Sequence, residues 1–376
     1  MISCGEPSGD LYAGALTREL RAIDPHVEVT GFGGDRLREA GASLSGDFRG
    51  LSVTGLLEVA RVLPRTYAML RRLAAEAAAS RPDVFVAIDF PDFNFRLASA
   101  VRRLGIPVVY YISPQLWAWR AGRMKTMRRI ADRVLVIFPF EEAIYRRAGV
   151  PVEWVGHPML DVLPPTAPRA AFLRAHGLDP ARPVVALLPG SRRNELHAIL
   201  PGLVAAAGLV QARVPGVQFL LARAPHLPRE VFAPLEMAGA PAIVQVDDGA
   251  DAVLSAADVA LLASGTVTVQ AALHECPMVV VYRLSPVTYR LGRPFVRVDT
   301  FAMVNLVAGR RIVPELIQDE FTPTAVTAHA VELLERPDAA AAMRADLRAV
   351  RGMLGQPGAS RRAAKAVLEV AGVRLG

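Results

Sequence analysis

Short, apolar, β-branched runs alternate with longer amphipathic stretches along most of the chain, and this alternation restricts the fold more than any other feature. The runs fall at residues 27–31, 84–88, 108–112, 134–137, 153–155, 184–188, 219–222, 243–246, 259–262 and 278–282. Helical patterns such as 11–23, 65–80, 95–104 and 141–148 lie between them. Runs that are apolar at successive positions suit strands covered on both faces, as in a parallel sheet. Parallel neighbours need crossover connections, and the intervening helices supply them with a right-handed turn. The expected class is therefore α/β with doubly wound sheets.

A chain of 376 residues is expected to divide into two domains. The break follows the strand ending at Val155, where Pro158, Pro164, Pro165 and Pro168 leave no helical period. The alternation restarts at Arg182. This reading gives a first Rossmann-like domain at 1–160, a second at 161–340, and a helical tail at 341–376 that is a candidate to pack back on the first domain. The opening strand has only Met1 to Cys4 before Gly5, the short limit for a strand. Either that strand is stunted or the true start lies upstream; its shortness bears on the stability of the first domain, not on the chemistry.

Composition narrows the class of function. The chain is 52% hydrophobic, which argues against disorder. Lys+Arg 43 against Asp+Glu 36 leaves a net charge of +7, which fits an anionic small molecule or an anionic membrane surface. No helix-turn-helix, zinc-finger or aromatic RNA-binding pattern accompanies the charge, so nucleic acid is not an expected partner. Cys4 and Cys276 lie far apart and read as buried, reduced thiols of a cytosolic protein. No Cys or His spacing suits a metal, and no signal peptide opens the chain. The apolar run 198–212 is interrupted by Pro201 and Gly202 and reads as a core helix, so any membrane contact is expected to be peripheral.

Several motifs sit where strands end, the position at which open α/β sheets bind ligands. Residues 5–10 read Gly-Glu-Pro-Ser-Gly-Asp and open a helix, which presents N–H groups to a polar or anionic ligand. Gly190-Ser191-Arg192 follows the run 184–188; its N–H groups suit a phosphate and Arg192 adds a bidentate contact, against a plain helix cap by Ser191 or Asn194. Ser264-Gly265-Thr266 repeats the arrangement, with Thr266 placed to cap the next helix. Two such turns in one domain point to a diphosphate or nucleotide, and Gln270, one turn later, is within reach of a ribose hydroxyl. Asp89 and Asp92 bracket Pro91; Asp92 reads as an N-cap, which leaves Asp89 as the candidate general base, with Glu6 and Asp10 as alternatives. His157, at the hinge, is either a cleft residue or a structural one. Trp117 and Trp119, followed by Arg120 and Arg123, form either a packed aromatic turn or an apolar wall for a greasy or sugar-bearing ligand. Residues 56–73 mix Val62, Leu63, Tyr67 and Met69 with Arg65 and Arg72, the composition of an interfacial membrane contact as well as of an amphipathic core helix.

Taken together, residues 5–10, 53–64, 88–94, 113–120, 138–141, 156–159, 188–192, 263–266, 277–283 and 305–309 resemble the lipid-A-disaccharide synthase family over essentially the whole chain. These bacterial glycosyltransferases have a GT-B fold, two Rossmann-like domains facing a cleft. The motifs are individually weak and, in this order, specific. The resemblance implies an inverting, metal-independent hexosyl transfer from UDP-2,3-diacylglucosamine to 2,3-diacylglucosamine 1-phosphate (lipid X), giving a β-1,6 disaccharide phosphate and UDP, with no cofactor. It makes Asp89 the base, places Gly190, Ser191, Arg192, Ser264, Gly265, Thr266, Gln270 and Asn305 at the donor, and turns Ser8, Gly9, Trp117 and His157 toward the acceptor or cleft. Val62, Leu63, Arg65, Tyr67, Met69 and Arg72 would then meet the inner face of the cytoplasmic membrane, where the enzyme would sit peripherally. The family usually carries Glu where this chain has Gln270, which implies weaker nucleotide contact there. Oligomeric state is not readable.

Two other readings use the same motifs. A UDP-sugar 2-epimerase shares the fold but has no use for an arginine-flanked apolar surface. A catalytically degenerate nucleotide- or lipid-binding protein has no need of Asp89. A nicotinamide-dependent oxidoreductase ranks below both, because the opening turn lacks the Gly-x-Gly-x-x-Gly spacing.

Overall fold

The computed structural model describes residues 1–49, 56–116, 121–224, 227–236, 239–247, 249–284 and 300–373, with side chains left undescribed at 56–62 and 121. Two compact units divide the chain: Met1–Val162 with Leu354–Gly376, and Leu163–Pro294 with Val298–Met353.

The first unit holds a seven-stranded sheet of β1 (Ile2–Cys4), β2 (Thr30–Gly33), β3 (Ser43–Asp47), β4 (Phe85–Ile88), β5 (Val108–Tyr111), β6 (Arg133–Val136) and β7 (Val152–Trp154), in the order β3-β2-β1-β4-β5-β6-β7. The second holds a six-stranded sheet of β8 (Val184–Leu188), β9 (Gln218–Ala222), β10 (Ile243–Val246), β11 (Val259–Ala263), β12 (Met278–Tyr282) and β13 (Glu315–Ile317), in the order β10-β9-β8-β11-β12-β13. Every pairing is parallel. The central strands β4, β5, β8 and β11 are buried along their whole length, as their unbroken apolar sequences require.

In each sheet the chain winds outward from a central strand, then returns to that strand's other side. The direction of winding therefore reverses between β1 and β4 and between β8 and β11. At such a reversal the two connecting turns leave in opposite directions and open a crevice at the carboxyl ends.

β3 and β13 do not announce themselves in the sequence. β3 is an edge strand, Ser-Leu-Ser-Gly-Asp, with one apolar residue and no fully buried position, so it lacks an apolar run. β13 has three residues and opens with Glu315. The three-residue β1 is nonetheless paired on both sides, Ser3 lying between Phe32 and Ala87.

The apolar helix Arg193–Arg213 lies in the second core, with Leu196, Ile199, Leu200 and Leu203 packed among the β8, β9 and β11 side chains. Among the described residues it is also the one helix long and apolar enough to cross a membrane. Its burial against the sheet identifies it as a core helix. Cys4 and Cys276 are buried free thiols, and burial pushes the Cys276 thiol up to about 12.

The tail boundary at 340 falls inside a continuous helix, Pro337–Met353, which stays with the second unit. The last helix, Ala359–Val370, belongs to the first unit. Asp161 holds its start, accepting the Gly358 N–H at 2.5 Å and the Ser360 N–H at 2.7 Å. Arg362 Nε donates to the Val155 carbonyl at 2.8 Å.

Candidate functional site

In the first unit, the turn after β1 starts the helix Pro7–Ile23, with Pro7 in its first turn and Glu6 at the N-cap. A Cβ added at Gly5 would lie 2.2 Å from the Phe90 ring, so only glycine lets the two sides of the crevice meet. Ser8 is half-buried. Gly9 is buried against Cys4 and Ile88, a place set by helix-to-strand packing. Asp10 is spent on structure: its carboxylate accepts the N–H groups of Gly34 (2.7 Å), Arg36 (2.9 Å) and Leu37 (3.2 Å) at the start of the helix Asp35–Glu39.

Across the crevice, β4 ends in Asp89 and Phe90, with φ of +44° and +48°. Two successive non-glycine residues in the left-handed region are strained, and such strain persists only where the surroundings over-determine it. Asn94 supplies much of that determination. Buried in the helix Pro91–Arg103, its Nδ2 donates to the carbonyls of Ser3 (3.1 Å), Ile88 (3.1 Å) and Asp89 (2.9 Å), while its Oδ1 accepts the Ser3 hydroxyl at 2.7 Å. Tyr110 donates its hydroxyl to the Asp89 carbonyl at 2.9 Å. The backbone under Asp89 is thus fixed from β1, β5 and the following helix, and its carboxylate is carried, half-buried, at the carboxyl end of β4.

Asp92 is not the N-cap that the sequence reading made it. The helix begins two residues earlier, at Pro91, and Phe90 holds the cap position. Asp92 is an exposed first-turn residue paired with Arg123. Ser113, after β5, bonds to the Tyr145 hydroxyl, which donates to the Pro114 carbonyl at 3.0 Å and so fixes the loop leading toward Trp117. Trp117 itself lies outside the described residues, as does the Trp119–Arg120 pair.

His157 is buried rather than open to solvent. Its ring packs against Tyr12 and Phe138, and Nδ1 accepts the Met159 N–H at 3.1 Å. Removal from water lowers its pKa to about 3, so it is a neutral, structural imidazole.

In the second unit, β8 ends in Gly190-Ser191-Arg192 and β11 in Ser264-Gly265-Thr266, on opposite sides of the reversal point. Gly190 has φ +115°. Ser191 is exposed and Arg192 half-buried at the N-cap of the helix Arg193–Arg213. Gly265 and Thr266 are exposed. Thr266 holds the cap position without a side-chain cap bond. Ser264 Oγ donates to the Phe301 carbonyl at 3.2 Å.

Two expected donor residues are engaged elsewhere. Asn305 is buried with its amide fully committed: Nδ2 donates to the Val313 carbonyl (3.0 Å) and Glu315 Oε1 (2.6 Å), and Oδ1 accepts the N–H groups of Ile312 (2.7 Å) and Val313 (3.0 Å). Its amide has no donor left for a ligand; it holds Glu315, which accepts the N–H groups of Phe301 and Ala302 beside Ser264. Gln270 Nε2 donates to Asp251 Oδ2 at 3.1 Å, and His274 bonds the other Asp251 oxygen at 2.9 Å. A carboxylate can face only the NH₂ end of an amide, so Asp251 sets the Gln270 Oε1 as the outward acceptor.

On the helix Leu56–Ser80, Leu63 and Tyr67 are 47% and 56% exposed, and Arg71 lies over the Tyr67 ring. Arg65 and Arg72 are exposed beside them. Met69 departs from the expected surface group: it is half-buried against Gly46 and the first core. The Val62 side chain lies outside the described residues.

Asn94, Asp251, Glu195 and Glu315 are the working residues that sequence reasoning missed. Asn94, between Phe93 and Phe95, was detectable as a polar residue on an apolar helix face. Glu195 follows an N-cap arginine instead of Ser or Thr, so the usual capping-box signature is absent.

The family model described as "Lipid-A-disaccharide synthetase" matches residues 1–370. A lipid-A-disaccharide synthase of Geobacter sulfurreducens is 43% identical over 378 aligned residues, covering 100% of this chain and 98% of that protein. That of Koribacter versatilis is 44% identical over 99% of this chain and 98% of its own length. Among solved structures, a UDP-GlcNAc 2-epimerase from Neisseria meningitidis bound to UDP-GlcNAc superposes with TM-score 0.67 at 14% identity, covering 98% of each chain. The glycosyltransferase of kitacinnamycin does so with TM-score 0.61 at 19% identity over 98% of each chain. At these identities the structural likeness speaks for the fold alone.

Proposed function

The chain belongs to the lipid-A-disaccharide synthase family and has its GT-B fold, and from that membership we propose how its own residues carry the transfer. The reaction is that of a glycosyltransferase: 2,3-diacylglucosamine passes from its UDP carrier to 2,3-diacylglucosamine 1-phosphate, with inversion, to give a β-1,6 disaccharide 1-phosphate and UDP.

Asp89 is the general base. Its carboxylate takes the proton of the acceptor hydroxyl as that oxygen attacks the anomeric carbon from the face opposite UDP. The observation that carries this assignment is the strained Asp89–Phe90 backbone at the β1/β4 reversal point, held by Asn94 and Tyr110. A fixed carboxylate at that point loses little freedom on reaching the transition state. Asp10 is excluded as the base by its three backbone bonds.

The first unit takes the acceptor, with Ser8 at its turn. The second takes the donor. The turns at Gly190, Ser191 and Arg192 and at Ser264, Gly265 and Thr266 receive the diphosphate, whose developing charge N–H groups and a guanidinium stabilise. Gln270 accepts a ribose hydroxyl through Oε1. Asn305 acts only by bracing the second turn. Leu63 and Tyr67, flanked by Arg65 and Arg72, rest on an anionic membrane surface on the cytoplasmic side, where acylated substrates reside.

The test is UDP release from the purified protein given UDP-2,3-diacylglucosamine, with and without lipid X in detergent. Release that requires lipid X, together with a disaccharide phosphate by mass, is expected. Release without an acceptor, or none despite UDP binding, would sink the reading.

A further inference from the structure

Glu195 occupies the first donor turn from within the protein. It is the third residue of the helix Arg193–Arg213, and its side chain folds back over the helix start. Its Oε2 accepts the N–H of Ser191 at 3.2 Å and of Arg192 at 3.3 Å, and its Oε1 accepts Arg192 Nη1 at 2.7 Å. These are the donors a diphosphate would use at this turn. Gly190 leaves the room: a Cβ added there would lie 2.6 Å from Glu195 Oε2.

A carboxylate and a phosphate ask the same thing of two N–H groups and a guanidinium, and their like charges keep both from having it. The backbone bonds are at the long edge of the hydrogen-bond range, so Glu195 is held chiefly by the arginine. Such a side chain can swing out without unfolding the helix.

We propose that Glu195 is an intramolecular competitor for the donor diphosphate. With the site empty it keeps the turn in its phosphate-ready form; it leaves when the diphosphate arrives and returns as UDP departs. Nucleotide affinity is thereby lowered and product is not retained. The proposal rests on the reading of this turn as the diphosphate site.

The experiment is titration calorimetry of the full chain and its Glu195→Gln variant with UDP and, separately, uridine. Gln keeps the size and one acceptor oxygen but not the charge. The variant is expected to bind UDP about three- to tenfold tighter, the scale of one charge-assisted bond released, with uridine affinity unchanged. Glu195→Asp, which keeps the charge but draws the carboxylate back from the turn, is expected to tighten UDP in the same direction and guards against a folding defect in the first variant. Unchanged or weaker UDP binding in both, with uridine binding intact, would overturn the competitor role, reduce Glu195 to a helix cap and leave the donor reading standing. Wild-type protein that binds UDP no better than uridine would overturn the donor reading and this proposal together.

Discussion

Asp89 combines a reactive side chain with a backbone conformation that costs free energy to hold, of order 1–3 kcal/mol for each such residue. Its strain is met by Asn94, whose three donated bonds run to carbonyls on both strands of the crevice. Replacing Asp89 by Asn keeps shape and hydrogen bonding and removes the base. Turnover is expected to fall by about 10²–10⁴-fold, the usual contribution of a positioned base, while UDP affinity stays at the wild-type value because the diphosphate turns lie in the other unit. Steady-state rates paired with UDP titration check this; near-normal turnover would remove Asp89 from the chemistry. At this scale the sequence was half legible. The turn residues stood out because glycine at a strand end has few other uses. The residues that hold them did not, because Asn94, Asp251 and Glu315 act through partners 5 to 91 positions away, as the Asn94 bonds to Asp89 and Ser3 illustrate. The amide of Asn305 shows the converse: a motif residue that looks like a ligand in sequence is consumed by its own fold.

The helix Leu56–Ser80 shows what an element can reveal that single residues cannot. Leu73 and Ala77 are buried and Met69 turns inward, so one face is an ordinary core face. Leu63 and Tyr67, at i and i+4 with Leu70 at i+7, continue the same stripe toward the helix start but stand exposed there, among arginines. Sequence periodicity could not separate the exposed part from the buried part, because both lie on one apolar stripe and exposure is decided by what packs nearby. Burying two such side chains in an interface is worth about 1.5–3 kcal/mol each at full burial. The double change Leu63→Ser, Tyr67→Ser removes that gain without touching the core. Co-sedimentation with vesicles containing anionic lipid is expected to fall at least tenfold, with the thermal midpoint nearly unchanged. Sedimentation equal to wild type would move the membrane contact to another surface.

At the scale of the whole molecule, the alternation of apolar runs with amphipathic stretches yields two all-parallel sheets, because parallel strands buried on both faces must be apolar throughout. Strand order was not in the alternation; it follows from which strands pair, a long-range property, and it brings distant turns together at the two reversal points. The capture of the last helix is a property of the same long-range kind, since Asp161 holds its start across 197 residues. His157 sits in that same region, its backbone N–H bonded to the Leu354 carbonyl at 2.9 Å, and it links the stability of the first unit to pH. Burial holds its pKa near about 3, against about 6.5 in an unfolded chain. Below that unfolded value the unfolded chain takes up a proton that the folded state refuses, so stability falls as pH drops, and the loss runs on until the folded pKa is passed. Between pH 7 and 5.5 this group alone is expected to cost about 1 kcal/mol. All three tryptophans, Trp117, Trp119 and Trp154, lie in the first unit, so their fluorescence in urea reports its unfolding. The His157→Gln variant keeps an acceptor for the Met159 N–H and does not titrate, so its urea midpoint is expected to move less between the two pH values than that of the wild type. Equal shifts in both proteins would mean that the imidazole is protonated in the folded state after all, with the Asp161 carboxylate outweighing its removal from water.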